Sequence, residues 1–207
     1  MVKRSTDTET FCILPWIHLM MHPNGRFFSC CVSTSKEHLS SIDLEIDEAI
    51  NSEKFNQLRV DMLQGKKNTN CENCYKAEKF NGSSFRKTSN DYFKHYINDV
   101  LDNTNQDGSI KEFKMRYFDL RMSNICNFKC RTCNSGYSSN FAKEEFKLLN
   151  KKQNIIIKPK KESNYKHKIL NNLDNLEIIY FSGGEPLITE EHYTVLEKRQ
   201  NRCFSSI

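Results

Sequence analysis

No run of about 18 apolar residues, the length needed to cross a bilayer, occurs in the 207-residue chain, and its first ten residues are polar. Neither a membrane span nor a signal peptide is therefore expected. Charge of one sign is also scarce, since 31 Lys and Arg against 26 Asp and Glu leave only +5. That is a weak basis for nucleic-acid binding, and neither a nucleic acid nor a membrane is expected as a partner. Trp16 is the only tryptophan and 37% of residues are apolar, which allows a core, but a lean one. The six histidines show no mutual spacing that suggests a site and read as surface or packing residues. Cysteine is what the chain has in excess, with nine residues. The odd number and the x2 and x3 spacings suit metal coordination in a reducing cytoplasm better than a secreted disulfide framework.

In chain order, Pro23-Asn24-Gly25 between two apolar runs predicts a hairpin that brings Cys12 near Cys30. A helix is expected from Ser52, as N-cap, to Leu63, with Phe55, Leu58, Met62 and Leu63 on one face and Gly65 as the stop. A second is expected from Ser84 to Leu101, burying Tyr92, Phe93, Tyr96, Ile97, Val100 and Leu101. The Asn, Asp, Gly and Thr content of 102–112 reads as a linker between an N-terminal module, 1–101, and a second unit, 113–207. In that unit a strand over Phe113–Arg121, a helix over Ser138–Leu149, a helix over Tyr165–Leu173 and a strand over Leu176–Phe181 make a βαβ unit, whose strands should be parallel. Thr189 reads as the N-cap of a further helix. Lys151–Lys161 reads as a solvated basic face or an extra strand, and Cys203 as unligated.

Two motifs fall at the ends of those strands. Cys126-x3-Cys130-x2-Cys133 follows the first, and Gly183-Gly184-Glu185-Pro186 follows the second. A [4Fe–4S] cube normally takes four thiolates, so three leave one iron open. A zinc ion would want a fourth ligand that the loop does not offer. Together the motifs resemble the radical S-adenosylmethionine (SAM) superfamily. The resemblance implies the start of a partial (β/α)6 barrel, with Cys126, Cys130 and Cys133 on the cluster and the SAM amino group held by Gly183, Gly184 and Glu185. It implies that Pro186 fixes the exit of that turn, and that Thr132, where the family usually has an aromatic residue, lies near adenine. It also implies reductive cleavage of SAM to a 5′-deoxyadenosyl radical that takes hydrogen from a substrate, with a reductant such as flavodoxin or ferredoxin as partner. The substrate, a peptide or a small molecule, is not legible.

Further forward, Cys12-x12-Gly25-x4-Cys30 and Cys71-x2-Cys74 resemble the twitch or SPASM auxiliary module, which gathers a second [4Fe–4S] cluster and in familiar enzymes follows the barrel. The resemblance makes Cys12, Cys30, Cys71 and Cys74 its ligands, with Cys31 as an alternative to Cys30 and a four-cysteine zinc site as the rival content. The fold class expected is thus α/β, the start of a barrel behind a small α+β cysteine-rich module. Arg116 to Ile207 is short for six βα units, which leads to the expectation of a truncated product or of a second chain completing the barrel. The alternative function is a non-catalytic iron–sulfur or zinc protein that carries electrons or mediates an interaction.

Overall fold

Pro23-Asn24-Gly25 turns the chain as expected: Gly25 N donates to His22 O and His22 N to Arg26 O, both at 2.8 Å. The computed structural model describes residues 8–33, 37–150 and 154–204. The expectations for Lys151 and Lys152 lie outside those residues. The turn joins β1 (His18–Met21) to β2 (Arg26–Phe28), and β3 (Ser40–Ser41) pairs antiparallel with β2. β1 also pairs, in parallel, with β4 (Tyr117–Leu120), and β4 pairs in parallel with β5 (Ile178–Phe181). One mixed sheet in the order β3-β2-β1-β4-β5 results. The expected βαβ unit is therefore present, and the front hairpin is joined to it edge to edge.

Strand alternation sorts the side chains. Leu19, Met21, Phe27, Phe118 and Leu120 are buried on one face, each contributing about 2 kcal/mol from removal of apolar surface from water. His18, Met20, Phe28, Tyr117, Asp119 and Tyr180 share the other face by register.

Nine α-helices occur among the described residues: α1 (Leu14–Ile17), α2 (Ile46–Ile50), α3 (Glu53–Leu63), α4 (Glu72–Lys79), α5 (Phe85–Tyr92), α6 (Ile97–Asp102), α7 (Ser139–Leu149), α8 (Tyr165–Asn171) and α9 (Glu190–Phe204). None is long and apolar enough to cross a membrane. α3 buries the four apolar residues expected of it, although Ser52 Oγ donates to Leu39 O instead of capping the helix. The single helix expected over Ser84–Leu101 is corrected to α5, a 3-10 turn at Lys94–Tyr96, and α6. The aromatic run Tyr92-Phe93 has modest helix propensity, and Phe93 turns inward while Tyr92 stays exposed. Thr189 stands just before α9, but its hydroxyl donates back to Pro186 O at 2.9 Å.

The stretch 102–112 is anchored to the front module at its buried residues Thr104, Gly108 and Ile110. Trp16 Nε1 donates to Thr104 Oγ1 at 2.8 Å, and Asn51 exchanges two hydrogen bonds with the backbone of Ile110. Arg59, fully buried between Trp16 and Phe55, donates to Gly108 O at 2.9 Å as well as to Pro15 O and Ile50 O. Three main-chain carbonyls thus stand in for the carboxylate that a buried guanidinium would otherwise need.

Candidate functional site

Four thiols meet under the front hairpin. The turn after β2 supplies Cys30, the segment before α1 supplies Cys12, and Cys71 and Cys74 come from the start of α4. All four are buried, at 7 to 9% exposure. Burial, followed by the nearby Cys30, holds the Cys12 thiol well above its usual pKa, and Cys71 and Cys74 add to the effect. Burial, followed by Cys71, raises Cys30. Burial, followed by Cys74, pushes Cys71 up to about 11. Cys12, Cys30 and Cys71 are thus held as neutral thiols, and a cationic centre would be needed to stabilise their thiolates. Among the described residues, no three His, Cys, Asp or Glu side chains converge tightly enough to share one ion.

Cys31 is exposed where Cys30 is buried. Its thiol is raised by burial and then by Asp119, opposed by Arg121, with a smaller upward push from Cys74. Of the two candidate ligands, Cys30 is the one gathered with Cys12, Cys71 and Cys74.

The second group sits at the carboxyl end of β4. Cys126 and Cys133 are part-buried and Cys130 is exposed. Local turns shape the loop: Cys133 N donates to Cys130 O at 2.9 Å, and Phe128 N donates to the Cys126 sulfur at 3.3 Å. Beneath it, Asn124 is completely buried. Its side-chain amide donates to Ser135 O and Ile155 O, and its side-chain oxygen accepts from Ile157 N at 2.7 Å. Ser139, at the start of α7, accepts from Cys126 N through its hydroxyl and donates its own N–H to Asn124 O.

The Gly-Gly-Glu-Pro turn docks onto this loop. Gly184 N donates to Tyr137 O at 2.8 Å and Glu185 N to Ile125 O at 2.7 Å. Both glycines have positive φ, +74° at Gly183 and +57° at Gly184. A Cβ on Gly183 would come within 2.7 Å of Arg121 Cβ, and one on Gly184 within 2.3 Å of Ile125 O. Only glycine fits both the conformation and the approach. Glu185 accepts from Leu187 N through Oε1 at 3.0 Å, and Pro186 opens the short 3-10 turn Pro186–Ile188. Thr132 is exposed on the rim of the cysteine loop. Parallel pairing of β4 and β5 thus sets the Gly-Gly-Glu turn against Ile125 and Tyr137, which flank the cysteine loop, since both motifs leave the same end of adjacent strands.

Several residues that shape the site carry no motif. Asp119, fully buried, holds Arg121 through a two-point ion pair, Nε to Oδ1 at 3.0 Å and NH2 to Oδ2 at 2.8 Å. Arg121 lies 5.2 Å from the centre of the Tyr137 ring, and Tyr137 meets His22 of the front hairpin edge-on at 5.1 Å. His18 donates through Nδ1 to Tyr117 O at 2.9 Å, while its buried Nε2 has no hydrogen-bond partner among the described residues. An apolar strand interrupted by a buried acid was the one trace of this network in the sequence.

No curated protein and no solved structure matches the chain. A family described as an iron–sulfur cluster-binding domain, SPASM, matches residues 12–75, the segment that contains all four buried thiols. Over those residues the chain carries a SPASM-like iron–sulfur cluster-binding module.

Proposed function

We propose that the chain is a radical SAM enzyme with its auxiliary iron–sulfur module in front. The observation that carries this reading is the docking of Gly183-Gly184-Glu185 on the Cys126 loop through Gly184 N to Tyr137 O and Glu185 N to Ile125 O. The presence of a SPASM-like module supports it, because that domain is found in radical SAM enzymes.

A [4Fe–4S] cluster with SAM on its open iron would supply a 5′-deoxyadenosyl radical when bound. Cys126, Cys130 and Cys133 would hold that cluster, and the exposure of Cys130 fits a cluster with one iron open to SAM. Glu185, steadied by Leu187 N, presents a carboxylate for the SAM ammonium. The carbonyls of Gly183 and Gly184 would accept from the same group, since the Gly184 and Glu185 N–H groups are already engaged. Cys12, Cys30, Cys71 and Cys74 would hold the auxiliary cluster away from water, because burial around them is nearly complete. A protein reductant of the flavodoxin or ferredoxin kind would deliver the electron.

The test is anaerobic iron, sulfide and zinc content, with electron paramagnetic resonance of the reduced protein with and without SAM. About eight irons per chain, a signal that shifts on adding SAM, and 5′-deoxyadenosine under reduction are expected. A spectrum indifferent to SAM, with no 5′-deoxyadenosine, would leave only an electron-carrying or interaction module.

A further inference from the structure

A cleft of about 360 Å³ opens between the front hairpin, Cys30 and Cys31, and Tyr137, which follows the second cysteine loop. Its walls include Met20 from β1, Arg26 and Phe28 from β2, His22 from the turn, Cys31, and Tyr137 from beyond the second cysteine loop. Strand register explains the first three, because Met20 pairs with Phe28 and Arg26 lies two residues before Phe28 on the same face. At one end the cleft touches Cys30 of the buried thiols; at the other it touches Tyr137, whose carbonyl holds Gly184.

Its charge is of one sign. No Asp or Glu lines it, and the Arg26 guanidinium has no carboxylate within ion-pair distance among the described residues. Arg121, close by, is already tied to Asp119. His22 reports the field: burial first, then Arg121 and Arg26, hold its pKa below the usual value, opposed by its hydrogen bond to Asn24. An apolar floor, an aromatic wall and an uncommitted guanidinium are what a pocket for an organic acid needs.

We propose that this cleft is the substrate pocket and takes a carboxylate-bearing substrate, with the carboxylate on Arg26 and the carbon chain over Met20 and Phe28. The assignment rests on the radical SAM reading above. It makes the front module part of the pocket, with Tyr137 as the wall contributed from beyond the second cysteine loop.

The test uses Cys31 as a reporter in the anaerobic, cluster-loaded protein, where the ligand cysteines are blocked. Alkylation by anionic iodoacetate and by neutral iodoacetamide is mapped to Cys31 by peptide mass spectrometry. Relative to iodoacetamide, iodoacetate is expected to react about fivefold faster in the native protein than in Arg26→Gln. Arg26→Lys should restore most of that preference. Glutarate should slow labelling saturably in the native protein and glutaramide should not, with the glutarate effect about tenfold weaker in Arg26→Gln. An unchanged reagent ratio, protection by neither compound, or an unreactive Cys31 each overturns the proposal. If SAM still shifts the resonance signal while glutarate gives no protection, the pocket assignment alone has failed. If SAM has no effect, both have failed, and an anion site without radical chemistry would remain.

Discussion

Gly184 sits where a single methyl group has nowhere to go, because Ile125 O would lie 2.3 Å from it and the backbone is left-handed at φ +57°. Gly184→Ala should cost about 2 kcal/mol of stability, seen as a lower denaturation midpoint. Iron retained by the Cys126 loop should fall with it, and a variant as stable as the native protein would sink the docking argument. His18 makes a prediction of a different kind. Burial, opposed by Asp119 and by the Tyr117 carbonyl, lowers its pKa to about 4. The folded value lies below the unfolded one of about 6.5. Between them the unfolded chain binds a proton that the folded chain does not, so stability falls as pH drops from about 6.5 to about 4. A nuclear magnetic resonance titration should show one imidazole titrating near pH 4, absent in His18→Gln. Residues of these two kinds were unequally legible. A cysteine loop or a Gly-Gly turn is written in consecutive residues, whereas Asp119 and His18 acquire their roles from strands far along the chain.

Elements whose signal is local were equally readable, and those built by distant contacts were not. The Pro-Asn-Gly hairpin, α3 and the parallel pair β4 and β5 follow from turn chemistry, periodicity and the βαβ rule. The 3-10 break between α5 and α6 follows from where Phe93 finds its pocket, which no periodicity contains. The loop between β4 and α7 likewise depends on Asn124, whose partners Ser135, Ile155 and Ile157 lie 11 to 33 residues away. Asn124→Ala should leave a buried N–H and two carbonyls without partners and cost about 2–3 kcal/mol. Faster hydrogen exchange at the Ile157 amide is the expected sign, with Asn124→Asp, which keeps the acceptor, protecting that amide better than alanine does. Equal exchange in all three proteins would show that the loop is held by something else.

Over the whole molecule, the hydrophobic core runs from Phe11 through Phe118 to Val195 without a break at 102–112, where the composition had suggested a linker. Composition sees only polar turn residues there; Thr104 and Ile110 are nonetheless buried by Trp16, Asn51 and their neighbours. The amides of β1 and of β5 are therefore expected to reach the same ceiling of protection in native-state hydrogen exchange, as one cooperative unit does. Two separate ceilings would mean that the front module opens on its own. The pairing of β1 with β4 has a further consequence during synthesis. His18 and Tyr117 are 99 residues apart, so at about 5–20 residues per second the ribosome releases the hairpin several seconds before its parallel neighbour exists. For that interval one edge of a buried, apolar strand is unpaired. A cell that makes this protein must shield the nascent hairpin from other chains until β4 has closed the edge.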